Sequence, residues 1–174
     1  MKPEGPVQVL LPGNMPSVTF DKKYIMASIN PYLTFLGNCE EAFNHYKSVF
    51  GGEFTYVGRF SEMPESPGNE GHSMPEEDKN KIMHISLPIG KGTVLMGSDT
   101  GGEWASQTKI GNNITISVTA DSKEQADQLF AGLSDGGNVT MPMAPTFWGD
   151  YFGMCTDRFG INWMMSFNEN APQG

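Results

Sequence analysis

The sequence predicts an α+β domain of two βαβββ modules that form a curved mixed sheet around a cavity, with the helices outside. Three observations predict it. A strand, a capped amphipathic helix and a Gly-Gly stop occur twice in the same order. The prospective caps Asn38 and Asp121 lie 83 positions apart, and Gly51-Gly52 and Gly136-Gly137 lie 85 apart, nearly the same offset. Three strand-like segments follow each helix. Matching offsets in a chain of 174 residues indicate an internal duplication, and such modules bury their sheets by pairing.

Residues 1–25 carry Pro3, Pro6, Pro12 and Pro16 with Gly5 and Gly13, which predicts an irregular N-terminal arm. The domain proper is expected over 26–170, with module one at 26–104 and module two at 110–170. Its first strand is expected between Ile29 and Leu36. Asn38 then reads as an N-cap, with Glu41 three residues on in a capping-box spacing. Cys39, Ala42, Phe43, Tyr46 and Phe50 recur on one helical face, and Gly51-Gly52 supplies the left-handed stop. Glu53 to Phe60 reads as a strand; Lys81–Ile89 and Thr93–Asp99 read as a hairpin turning at Gly90-Lys91-Gly92.

The second module opens with strict alternation from Asn112 to Ala120. That predicts Ile114, Ile116 and Val118 under the helix and Asn113, Thr115 and Ser117 on the other face. Asp121 is expected to cap the second helix, with Glu124 at the third helical position. Ala126, Leu129, Phe130 and Leu133 form its apolar stripe. Strands are expected at Asn138–Met143, Tyr151–Asp157 and Ile161–Asn168. Between the second and third strands, residues 61–80 are rich in proline, glycine and acids; a loop of this length is expected either to fold over the cavity mouth as a lid or to be a mobile acidic loop with no role.

Eleven basic against twenty acidic residues give a net charge of −9, which repels nucleic-acid backbones and anionic membranes. No apolar run is long enough to span a bilayer, and the apolar start Val7–Leu11 is too short for a secretory signal. The two distant cysteines, Cys39 and Cys155, read as free thiols of a cytoplasmic protein.

The segments N30-P-Y-L-T-F-L-G-N-C-E-E-A-F-N-H-Y-K-S-V-F-G-G52, M83-H-I-S-L, V94-L-M-G-S-D99 and W148-G-D-Y-F-G-M-C-T-D-R-F-G-I-N-W-M-M-S-F167 resemble the vicinal oxygen chelate superfamily. This is the glyoxalase / bleomycin-resistance / dioxygenase fold, and within it the segments resemble the PhnB-like branch. The last segment is the most specific. Some members of the branch carry a 3-demethylubiquinone methyltransferase label. No glycine-rich turn opens a helix after a strand here, as a Rossmann-like S-adenosylmethionine site requires.

The resemblance implies metal ligands from both halves, at positions that fall near Pro31, Met96, Asn113 and Met164. Proline offers no side-chain donor, thioethers are soft, and an amide oxygen is weak, so no superfamily-type metal centre and no cofactor are expected. The same alignment places Phe35, His84, Met96, Asn113, Thr115, Asn162 and Met164 on the cavity wall, with Trp148 and Tyr151 at its rim. Leu33, Val94, Ser98, Ser86 and Ser166 are expected beside them. His84 is the best catalytic candidate, as a general base or a ligand-orienting donor, although a hydrogen-bonded core histidine is the commoner arrangement. Asp99 and Asp157 read as structural residues at turns, Cys155 as a small buried hydrophobe, and His45 as exposed.

These readings predict a protein that binds or sequesters a small organic molecule and acts as a homodimer. The rival is an enzyme, a metal-dependent lyase, isomerase or dioxygenase centred on His84 and Asp99. A third reading is a regulatory or assembly module with a filled, vestigial cavity.

Overall fold

A computed structural model of the chain describes residues 7–9, 18–20, 28–63, 75–90 and 92–170. In the arm, β1 (Val7–Val9) pairs antiparallel with β2 (Val18–Phe20) as a two-stranded sheet of its own, so the arm expected to be irregular contains a hairpin. The expected lid lies largely outside the described residues. Short 3₁₀ turns at Phe60–Glu62 and Glu76–Asp78 bound it.

Module one comprises β3 (Tyr32–Phe35), α1 (Cys39–Phe50), β4 (Tyr56–Arg59), β5 (Ile82–Gly90) and β6 (Thr93–Asp99). Module two comprises β7 (Ile116–Thr119), α2 (Lys123–Ser134), β8 (Asn138–Pro145), β9 (Tyr151–Thr156) and β10 (Asn162–Phe167). The strand orders are β3-β6-β5-β4 and β7-β10-β9-β8. In each sheet the first strand of the module runs parallel to the last and the other pairs are antiparallel. The α+β class and the duplicated βαβββ plan are those the sequence predicts.

The helix-facing sides of both sheets share one core. From α1, Tyr46 and Phe50 reach Trp163 on β10, with ring centroids 5.5 and 5.7 Å apart. Between the helices Val49 meets Gly132, where a Cβ would stand 2.9 Å from Val49 Cγ2. Phe43, Ile85, Leu87 and Leu95 fill the first module's part of this core; Leu133, Cys155, Trp163 and Met165 fill the second's. Each large apolar side chain so buried stabilises the fold by roughly 1.5–3 kcal/mol. Gly97 on β6 is required by this packing, because a Cβ there would lie 2.5 Å from the Phe43 ring.

The helix ends differ from the sequence reading in an informative way. Asn38 makes no side-chain cap bond. The carboxylate of Asp99, at the end of β6, accepts instead from the amides of Gly37 (2.9 Å), Cys39 (3.0 Å) and Ile82 (3.0 Å). In module two the cap is Ser122 rather than Asp121. Ser122 Oγ accepts from the Gln125 amide (3.1 Å), and Gln125 Oε1 accepts from the Asp121 amide (2.6 Å). Each helix start has unbonded amides, and in both cases a nearby oxygen satisfies them.

Candidate functional site

Because both helices lie on the shared core, each sheet has a second face that no helix covers. Period-two alternation decides what stands there. On the first sheet, Tyr32, Met96, Ser86 and Tyr56 form one cross-strand row over β3, β6, β5 and β4. His84 stands opposite Gly58 on the same face. Its ring stacks on Tyr32 (centroids 5.7 Å, planes 22° apart) and lies 5.6 Å from the Tyr56 ring. His84 Nδ1 and Tyr32 Oη are 3.3 Å apart. Gly58 makes room for this group: a Cβ there would come within 2.6 Å of Tyr56 Oη.

On the second sheet, Ser117, Met164, Met154 and Met141 form a row over β7, β10, β9 and β8. Thr119, Ser166, Phe152 and Ala144 form the next, and Asn162, Thr156 and Asn138 a third. Three methionines thus align on adjacent strands, and the polar groups in these rows are hydroxyls and amides. At one end of this face, Thr115, Thr140, Met154 and Asn162 line a cleft of about 640 Å³ whose rim is the linker from Ile110 to Asn112. At the opposite end, the β8–β9 turn raises Trp148, whose ring meets Phe152 at 5.9 Å.

The structure therefore places His84, Met96, Met164 and Asn162 on helix-free faces, as alternation predicts. Val94, Ser98 and Ser166 accompany them. Other positions are corrected. Phe35 is only 4% exposed and packs under α1 edge-on to Phe43, so it belongs to the core; Leu33 points the same way, and Tyr32 and Thr34 take the open face. Tyr151 turns toward α2, where its hydroxyl donates to Asp127 (2.7 Å) and Lys123 sits over its ring; Phe152 is the open-face neighbour. Asn113 precedes β7 and lines a separate cleft of about 660 Å³ between the modules, with Leu36 and Ile161. Ile114 is 76% exposed rather than under the helix, because strand pairing begins only at Ile116. At the start of β5 the core position is held by Ile82, and the pairing with β4 is irregular beside Gly58.

The titratable groups near the core have structural explanations. Both cysteines are buried and free. Burial and then the nearby Asp157 push the Cys155 thiol up to about 11; burial and then Asp99 push Cys39 further. Thiolates are the reactive form, so neither is an activated nucleophile. Asp157 is buried and accepts from Tyr46 Oη (2.8 Å), Trp163 Nε1 (2.8 Å) and the amides of Phe159 and Ile161 (2.9 Å each). His45 is half-buried at the module boundary, against Phe159, where the sequence suggested an exposed residue.

Pro31, Met96, Asn113 and Met164 are a poor donor set for a divalent ion wherever the faces meet: proline has no side-chain donor, thioethers are soft and an amide oxygen is weak. Among the described residues no group of three His, Cys, Asp or Glu side chains comes together as a metal site. None of the described helices is long and apolar enough to cross a membrane.

A duplicated βαβββ chain with an open sheet face in each half defines a broad class of α+β proteins. Residues 28–165 match the Glyoxalase/Bleomycin resistance protein/Dioxygenase superfamily, and the chain belongs to it. It is 40% identical to protein PA1353 of Pseudomonas aeruginosa over 82% of this chain and 98% of that one, with a TM-score of 0.66. It is 29% identical to protein YjdN of Escherichia coli over 147 residues, 83% of this chain and 97% of the relative. A PhnB protein of Bacillus cereus, described as a candidate 3-demethylubiquinone-9 3-methyltransferase, shares the fold at 22% identity and a TM-score of 0.61, over 81% of this chain and 99% of its own.

Proposed function

We propose that this protein binds a small, partly apolar organic molecule, and that it does so as a homodimer in which the helix-free face of module one on one subunit closes over that of module two on the other. The observation that carries the reading is the character of the two faces. They hold aromatic rings, methionines, hydroxyls and amides, with Tyr32, Tyr56 and His84 as the titratable groups in the cross-strand rows described. Surfaces that water alone covers are normally rich in charge, whereas pocket walls are apolar with a few neutral polar groups. Within one chain the faces point away from the shared core, so a second copy is what encloses a cavity between them. A closed two-fold dimer makes two such cavities.

Native mass spectrometry of the purified protein tests this reading. A dimer carrying an organic adduct is expected, and dialysis against zinc, nickel, manganese or iron(II) is expected to leave its mass unchanged. A monomer with no adduct at micromolar concentration overturns it. One contact supports a second reading, as a lyase, isomerase or dioxygenase: Tyr32 Oη lies 3.3 Å from His84 Nδ1, a contact that orients the imidazole as a base would need. His84→Ala separates the two, since turnover collapses if His84 is a base, while affinity changes only modestly if it is part of a wall.

A further inference from the structure

Resting on the small-molecule reading above, we propose that the helix-free face of the second sheet receives a flat, uncharged aromatic ring system, lying across Met141, Met154 and Met164 with Trp148 at its edge. Three features of the face specify that chemistry. First, the three methionines are brought together by pairing: Met164 pairs with Met154, and Met154 with Met141, which β8 presents between two irregularities of its register. A row of thioethers on adjacent strands is a polarisable strip, and sulfur favours contact with aromatic rings over contact with saturated carbon. Methionine is also unbranched and flexible, so the strip adapts to the outline of a plane laid on it.

Second, Trp148 is held in place before any ligand arrives. Its indole Nε1 donates to Asp150 Oδ2 (3.1 Å), and the other oxygen of that carboxylate accepts from Asn168 Nδ2 (2.6 Å). The turn beneath is tied by the Thr146 amide to the Asp150 carbonyl (2.8 Å) and by the Gly149 amide to the Thr146 carbonyl (3.2 Å). The indole is nevertheless 51% exposed. With its N–H committed to Asp150, what it offers a ligand is π surface. A ring fixed in this way binds without losing rotamer freedom at the moment of contact, and aromatic neighbours favour offset or edge-on geometry.

Third, no cross-strand row of this face contains an ionisable side chain, although 18% of the chain is charged. A charged ligand lying on these rows loses its hydration and finds no counter-ion in them; the carboxylate at their edge, Asp150, is already engaged by Trp148 and Asn168. A neutral ring with one or two hydrogen-bonding atoms finds the hydroxyls and amides of Ser117, Thr156 and Asn162 instead.

Acridone, a neutral planar ring system, tests the proposal by fluorescence titration of the full chain. The cation of 9-aminoacridine serves as the charged planar probe, and cyclododecanol as an aliphatic competitor of similar carbon count. Acridone is expected to bind and to quench tryptophan emission, with the cation and cyclododecanol at least tenfold weaker. Trp148→Ala is expected to weaken acridone at least fivefold with unchanged circular dichroism. The triple variant Met141→Leu, Met154→Leu, Met164→Leu keeps the apolar area and removes the sulfur. It is expected to weaken acridone severalfold and leave cyclododecanol unchanged. Equal binding of cyclododecanol, or acridone affinity indifferent to both variants, overturns the aromatic assignment and leaves the small-molecule reading standing. Failure of all three compounds, with no adduct in the native mass spectrum, overturns both.

Discussion

Asp157 illustrates how much structure one carboxylate can organise. It lies at the end of β9, yet it fastens Tyr46 of the other module and Trp163 of its own, and closes the Arg158–Gly160 turn with two amides. The sequence showed the turn, because Asp-Arg-Phe-Gly is turn-forming, but not the partners, since Tyr46 is 111 positions away. Asp157→Ala leaves several buried donors unpaired and is expected to lower stability by about 3–5 kcal/mol in urea unfolding; a loss under about 1 kcal/mol would mean that water replaces the carboxylate. His45 sits nearby. Burial and then the Arg158 guanidinium hold its imidazole below its usual 6.5, while Asp157, Asp135 and the Gly132 backbone act the other way. The unfolded chain therefore takes up a proton more readily than the folded one. The stability this neutral imidazole contributes is present above pH 6.5 and is lost as pH falls below it. The melting temperature is expected to decline from pH 7 to 5.5, and His45→Gln to flatten that decline. Phe35 makes the converse point: Leu33 and Phe35 against Tyr32 and Thr34 is an apolar/polar alternation, and phasing by it places Phe35 in the core without any structure.

The elements were legible where their signal is local. Both helices, Thr93–Asp99 and the three closing strands of module two follow from periodicity and Gly-Gly stops, with ends shifted by a few residues. Cap identity is not always local. Asp99 reaches Gly37 and Cys39 from about 60 positions away, so the capping box suggested by Asn38 and Glu41 was a plausible pattern with the wrong acceptor. The carboxylate also meets the positive end of the α1 dipole. Two substitutions compare a tertiary with a local cap. Ser122→Ala removes one side-chain acceptor and is expected to cost about 1 kcal/mol. Asp99→Ala strands three amides, two of them in buried bonds, and is expected to cost about 2–4 kcal/mol, with amide exchange rising first at Gly37, Cys39 and Ile82. Equal losses in the two variants would mean that α1 is held by its packing and not by Asp99.

At the scale of the molecule, the duplication announced two modules, but no local pattern records which surfaces meet, because that depends on how Tyr46, Val49 and Phe50 pack across α1, α2 and β10. With the helices shared and both other faces open, the proposed site, joining the aromatic wall of Tyr32, Tyr56 and His84 to the methionine wall, would draw on two chains. Complementation decides this. A chain carrying Tyr32→Ala and His84→Ala has a damaged first wall, and a chain carrying Trp148→Ala and Met154→Ala a damaged second wall. Each homodimer then has two defective sites. A mixed dimer has one site with both walls intact and one with both damaged. Co-unfolding and refolding an equimolar mixture gives about half mixed dimers if chains associate at random. Each of these carries one good site of two, so acridone capacity should return to about one quarter of the wild-type value, with wild-type affinity. If each site instead lay within a single chain, no exchange of subunits would create an intact one, and the mixture would bind no better than its components.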